Sequence, residues 1–130
     1  RKRYEIANAI RFIPHDLAVE KFTGSYDAVL MSNVLHAFAP SDAAAMVRQM
    51  YEVVAPGGSL IIQAQFLADD RTGPRWPVYV DLACLCFTAN GRNHTVAETR
   101  RWLEDAGFTD IENQPMSLLN ANGFLRGYKR

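Results

Sequence analysis

Polar side chains gather just after three apolar runs in this sequence: His15-Asp16 after Ile10 to Pro14, Ser32 to His36 after Tyr26 to Met31, and Gln63 to Phe66 after Leu60 to Ile62. In an α/β sheet, ligands bind at the carboxyl ends of the strands, so these stretches point to a pocket without naming a reaction. His36 brings an imidazole whose ordinary pKa of ~6.5 lets it accept a proton near neutrality. The same residue type also hydrogen-bonds at helix starts, and position alone leaves both roles open. Cys84 and Cys86 are two residues apart. On a helix they point to different faces, which suits neither a disulfide nor a metal site.

The elements that must position these groups follow from apolar spacing. Ala9 to Pro14 reads as a short strand, preceded by the tail of a helix from Tyr4 to Asn8. Tyr26 to Met31 is nearly all apolar and reads as a strand buried on both faces. Pro40-Ser41-Asp42 opens a helix with Ser41 as N-cap, and Met46, Val47, Met50, Val53 and Val54 form its inner face. Ala55-Pro56-Gly57-Gly58 ends that helix and turns into a strand at Leu60 to Ile62. A polar loop runs from Asp69 to Pro77. Val78 to Phe87 is apolar all round except Asp81, the pattern of a helix that is buried or lines a pocket. Thr95-Val96-Ala97-Glu98 fits a capping box, Ala106-Gly107 a helix stop, and Trp102 and Leu103 an inward face. Asp110 to Met116 and Gly123 to Tyr128 are two late strands joined by a turn at Asn120 to Gly123. The alternation gives an α/β sheet with a mainly parallel core.

The chain has 130 residues, room for one compact domain, and its 14 Lys+Arg balance 14 Asp+Glu. Arg1-Lys2-Arg3 and Arg100-Arg101 are too short to make a basic face for nucleic acid or an anionic membrane. No apolar run approaches the ~20 residues that span a bilayer, and the first residues are charged. With reduced cysteines, this favours a cytoplasmic setting.

Tyr26-Asp27-Ala28-Val29-Leu30-Met31-Ser32-Asn33-Val34-Leu35-His36 resembles the post-strand motif of plant and bacterial O-methyltransferases. Val53-Val54-Ala55-Pro56-Gly57-Gly58-Ser59-Leu60 is similar to that family's L-x-P-G-G-x-L turn. Gly91-Arg92-Asn93-His94-Thr95, leading through Glu98 to Trp102-Leu103-Glu104-Asp105-Ala106-Gly107-Phe108, looks like its G-(K/R)-E-R-T…E…L-x-x-A-G-F block. The resemblance implies the C-terminal part of the catalytic domain of a class I small-molecule O-methyltransferase, with a Rossmann-like sheet closing on an antiparallel strand pair. It implies that a substrate hydroxyl attacks the sulfonium methyl of S-adenosylmethionine and that His36 is the general base. It places Asp16 where a carboxylate accepts a hydrogen bond from the adenine amino group, Leu17 against the adenine ring, and Ser32 beside the cofactor. It assigns the acceptor pocket to Trp76, Cys84, Phe87 and Asn90, on and around the helix from Tyr79 to Phe87. It also implies a homodimer formed through an N-terminal domain.

The departures from that pattern are specific. A G-x-G-x-G loop, whose bare backbone lets the cofactor approach, does not occur in this sequence, nor does the acidic residue that follows it and holds the ribose. The sheet is therefore expected to lack its first two strands, leaving the Ile10 strand without a neighbour for its backbone groups. On that expectation residues 1–130 do not fold alone, bind S-adenosylmethionine poorly, and are a fragment or are completed by another chain. The family also places glutamates late in the strand after P-G-G and just before the T-x-x-E helix, where this sequence has Ala64 (beside Gln65) and Asn93. An imidazole without a carboxylate partner is less well oriented and a weaker base, although Gln65 or Asn93 can still hydrogen-bond a ring nitrogen. A phenol, with a pKa of ~10, needs the least help, so a phenolic acceptor is expected. The alternatives are a fold relative with altered or lost catalysis and a non-catalytic chain that completes another subunit's sheet.

Overall fold

The structure, a computed structural model, describes residues 10–115 and 123–130. The helix tail expected over residues 4–8, the end of the late strand at residue 116 and the turn over residues 120–122 lie outside the described residues. β1 (Tyr26–Ser32) lies parallel to β2 (Val54–Ala64), with Ala28 opposite Ser59 and Ser32 opposite Gln63. This is the pairing the sequence predicts, with α1 (Pro40–Val53) as the connection. After α2 (Arg75–Phe87) and α3 (Val96–Ala106) the chain forms β3 (Thr109–Pro115) and β4 (Gly123–Tyr128). β4 pairs antiparallel with both β2 and β3, which gives the order β1-β2-β4-β3. The late antiparallel pair is as expected, and the described sheet is mixed.

One face of this sheet carries the core. Met31, Leu60, Ile62 and Leu125 meet Ala43, Met46, Val47 and Met50 of α1 and Leu103 of α3, all buried. α3 begins with the expected capping box: Thr95 Oγ1 accepts from Glu98 N at 3.1 Å, and Glu98 Oε2 accepts from Thr95 N at 2.9 Å. Gly107, at φ 103°, stops the helix as expected.

Several expectations need correction. Ala39, not Ser41, is the N-cap of α1, and Pro40 occupies the first turn, where its fixed φ and missing N–H fit without cost. Pro56-Gly57-Gly58 does not separate helix from strand, because β2 starts at Val54 directly after α1. The motif forms an irregularity inside β2, where Tyr26 pairs with Val54 but Ala28 with Ser59. Gly57 has φ 81°, and a Cβ on Gly58 would meet Asp27 O at 2.7 Å, so the two β-strands approach this closely only over glycine. Ile10 to Pro14 forms no strand and is exposed, because no described strand offers it a partner. β1 is buried on one face only; Leu30 is exposed because β1 is an edge strand whose other face no described element covers. α2 starts at Arg75, so the loop before it is shorter than expected. That helix is not buried either: only Pro77 and Cys84 are covered, because it rests one edge on the turn Leu35–Ala37 and nothing described covers the rest. Among the described residues no helix is long and apolar enough to cross a membrane.

Leu103, 0% exposed, joins α3 to the sheet. Leu103→Ala is expected to destabilise the full-length protein by ~2–5 kcal/mol, the range for a buried leucine that leaves a cavity. Urea denaturation measures it, and a loss below ~1 kcal/mol would contradict this packing.

Candidate active site

The polar end of the fold is built where β1 and β2 finish side by side. Asn33 leaves β1 at φ 51°, a conformation asparagine tolerates. Its N donates to Gln63 O at 2.9 Å, and its Nδ2 donates to Gln63 Oε1 at 3.0 Å. Ser32 Oγ donates to the same Gln63 Oε1 at 2.5 Å. These bonds fix the direction in which the chain leaves the sheet, and a single 3-10 turn, Leu35–Ala37, follows with His36 at its centre.

His36 is half-buried, and its enclosed ring nitrogen, Nδ1, has no hydrogen-bond partner among the described residues. Burial lowers its pKa below the ordinary 6.5, so the ring is neutral and able to accept a proton at physiological pH. It lines a small void with Leu35, Ala64, Gln65, Phe66, Asn93, His94 and Thr99. The structure thus brings His36 together with Gln65 and Asn93, the two residues expected to orient it. Asn93, 2% exposed, is engaged elsewhere: its Nδ2 donates to Pro77 O at 2.7 Å and its N donates to Asp81 Oδ1 at 2.7 Å. Asn93 therefore ties α2 to the entry of α3, and its amide makes no bond to the His36 ring.

The sequence pattern assigns no role to His94. It is 5% exposed, and its Nε2 lies 3.0 Å from Leu35 O, the carbonyl just before His36. Its ring packs edge-on against Trp102 at 4.8 Å. Burial lowers its pKa; the bond to Leu35 O and the charge of Glu98 act the other way without overcoming it. The one sequence signal for His94 is that it is the sole histidine of the Gly91-to-Thr95 stretch. Around it, Glu98 accepts from Arg71 Nη2 at 2.9 Å and Arg92 Nη2 at 2.7 Å. Burial alone would raise the Glu98 pKa, but the bonds from Thr95 and Arg71 and the two arginine charges hold it below its ordinary value. This charged cluster fixes the segment that carries Asn93 and His94.

The residues expected on the cofactor side do not line one common cavity among the described residues. Leu17 is half-buried and, with Phe22, Val29, Met31 and Met46, lines an apolar cleft of about 320 Å³ beside β1. Asp16 is exposed in a turn, its Oδ1 accepting from Ala18 N at 2.9 Å. Ser32 sits at the end of β1, its hydroxyl hydrogen already given to Gln63. The donor set is an apolar cleft with an acceptor-only carboxylate next to it in sequence, which suits a flat ring with an exocyclic amine. The expected acceptor-pocket residues are not brought into one described cavity. Cys84 is buried, its thiol pKa raised by burial and by Asp81, while Trp76, Phe87 (87% exposed) and Asn90 face outward. Cys84 and Cys86 are free, one buried and one exposed.

The O-methyltransferase domain pattern matches residues 2–109. The chain is 28% identical to the tetracenomycin polyketide synthesis 8-O-methyl transferase of Streptomyces glaucescens, over 89% of this chain and 34% of that protein. It is 30% identical to the 3-hydroxy-5-methyl-1-naphthoate 3-O-methyltransferase of Streptomyces sahachiroi, over 88% of this chain and 33% of that protein. The chain thus spans about a third of the length of the curated relatives it matches. Among solved structures, it superposes on the S-adenosylmethionine-dependent methyltransferase SibL with a TM-score of 0.76 at 29% identity, covering 95% of this chain and 38% of that one.

The histidine turn is also held from behind. A Cβ on Gly91 would lie 2.5 Å from His36 O and 2.8 Å from Ala37 C. Gly91→Ala is expected to cost ~1–3 kcal/mol of stability in the full-length protein, as for overpacking a closed site, because both atoms are backbone and cannot step aside. Thermal unfolding checks this, and an unchanged midpoint would mean the turn has room to retreat.

Proposed function

This chain belongs to the O-methyltransferase domain family, and we propose that it forms the histidine-bearing part of an S-adenosylmethionine-dependent O-methyltransferase acting on a small phenolic or aromatic hydroxyl. The observation that carries this reading is His36: a neutral, half-buried imidazole on a turn fixed to the carboxyl ends of two parallel strands. The names of the similar Streptomyces enzymes describe O-methyl transfer, one of them on a hydroxynaphthoate, and these support an aromatic hydroxyl as acceptor. Dimerisation through a further domain, which rests on the resemblance, and a cytoplasmic setting, which rests on the free cysteines, belong to the same proposal.

Leu17 and the cleft around it would receive the adenine ring of the cofactor, Asp16 its amino group, and Ser32 would lie beside it. When bound, S-adenosylmethionine supplies an electrophilic methyl group. His36, in this reading, would hold the acceptor hydroxyl by its proton and take that proton at Nε2. No carboxylate bonds the ring among the described residues, so the base is a mild one, matched to an acidic phenol rather than an aliphatic alcohol. That same feature favours a second reading, a relative that binds the cofactor without transferring methyl.

In the full-length protein His36→Ala is expected to lower turnover by ~10²–10⁴-fold, toward the smaller end, with cofactor affinity nearly unchanged. Only the neutral ring accepts the proton, and burial moves its titration below 6.5. The wild-type rate should therefore fall with decreasing pH through a midpoint below 6.5 and level off as the pH rises past it. Methyl transfer to one phenol across pH checks both; equal rates and profiles for wild type and variant would make His36 structural, and cofactor binding without transfer would establish the second reading.

Asp16→Asn preserves an oxygen for the Ala18 N bond and places a donor where the adenine amine needs an acceptor. It should weaken cofactor binding by ~1–3 kcal/mol in calorimetry, and an unchanged affinity would remove Asp16 from the site.

A further inference from the structure

The void beside His36 contains a donor–acceptor arithmetic that the base reading does not require and that no carboxylate satisfies. Three enclosed side-chain atoms without a protein partner among the described residues belong to its lining residues: His36 Nδ1, Gln65 Oε1 and His94 Nδ1. The protonation of each can be deduced. Leu35 O can only accept, so at 3.0 Å His94 Nε2 must carry the hydrogen, which leaves a lone pair on Nδ1 of the neutral ring. Gln65 Oε1 is an acceptor by its nature. Two of the three atoms therefore need a donor.

The space is about 10 Å³, the smallest room that holds one water molecule, and a buried water needs two to four polar partners. A single water can donate to Gln65 Oε1 and His94 Nδ1 with its two hydrogens and accept one bond from His36. That closes the count only if His36 Nδ1 carries the hydrogen. Were Nδ1 a lone pair instead, three acceptors would compete for two hydrogens. We infer that His94 and Gln65 are positioning residues that, through one shared water, hold His36 as the Nδ1–H tautomer and leave its Nε2 lone pair free for the acceptor hydroxyl.

The arrangement does with two neutral acceptors what a carboxylate does in a histidine–acid pair: it selects the tautomer and turns the ring. It also receives the imidazolium that forms when the hydroxyl proton arrives, since the oxygen end of the water faces His36. The groups packed around His94 are Leu35 O from the histidine turn, Trp102 from α3, and the Glu98, Arg71 and Arg92 cluster. Glu98 is shared between the two arginines, so no unbalanced charge pulls a second proton onto His94.

The catalytic half of this inference rests on His36 being the base, whereas the tautomer half does not, and the test separates them. In the full-length protein, nitrogen-15 spectra of the histidine rings should show His36 protonated on Nδ1. His94→Phe keeps a ring against Trp102 but removes the acceptor, and Gln65→Leu removes the other. Each should mix the two His36 tautomers and lower kcat by ~10-fold or more with KM for the cofactor unchanged, the scale seen when an outer partner of a histidine is removed. The double variant should be little worse than either single one, because both act on one water. His94→Gln, which retains a donor and an acceptor, should restore the Nδ1–H tautomer. A wild-type His36 protonated on Nε2, or a tautomer unmoved in both Gln65→Leu and His94→Phe, overturns the inference. If the tautomer shifts as expected while His36→Ala transfers methyl at the wild-type rate, the network stands and the base reading falls. Gln65 is only half-buried, so its variant remains informative should His94→Phe fail to fold.

Discussion

The parallel pairing of β1 with β2 is the constraint on which the rest hangs. It sets Ser32 opposite Gln63, and from that register follow the bonds of Ser32 and Asn33 to Gln63 that aim the chain into the histidine turn. One residue of slippage would move every side chain of a strand to its other face. A slip of β1 would take Met31 out of the core and leave its partner Ile62 in place, so the core and the polar site demand the same alignment.

The second constraint is electrical. Two histidines line one small void, and burial holds both neutral. Two buried cations at this spacing would repel and be poorly solvated, so only one can carry charge at a time. The charged groups of the region are kept one layer outward, where Glu98, Arg71 and Arg92 neutralise one another and cap α3. The fold thus separates the work of fixing the segment, done by ions, from the work of handling a proton, done by neutral rings.

Much of this was legible because the signals are local. The capping box at Thr95 and Glu98, the stop at Gly107, the inward Leu103 and the pairing of the apolar runs at Tyr26 and Leu60 each depend on a few adjacent residues. What could not be read depends on what lies across from a residue. The apolar run from Val78 looks buried in sequence, yet its exposure is decided by neighbours the run does not encode. The Pro56-Gly57-Gly58 motif signals a tight bend, but only the Asp27 carbonyl beside Gly58 shows why the bend sits within a strand. Asn93 stands where an orienting group was expected, and its amide bonds Pro77 O, sixteen residues away, and not His36. His94 joins the site through a bond to Leu35 across fifty-nine residues, a separation no motif spacing reveals.

The direct passage from Val53 to Val54 gives α1 and β2 no loop between them, while the other end of α1 begins three residues after the histidine turn ends. Helix and strand are in effect two arms of one bracket whose corner is the Val53–Val54 junction, with the Gly57-Gly58 irregularity a few residues along the strand. A tilt of α1 cannot be absorbed at the junction, so it reaches the strand and the histidine turn at once. Two walls of the proton-handling void, the histidine turn and the end of β2, are thus joined through α1, while Asn93, His94 and Thr99 supply the third, and an inserted residue at that corner would be felt at both ends of the helix.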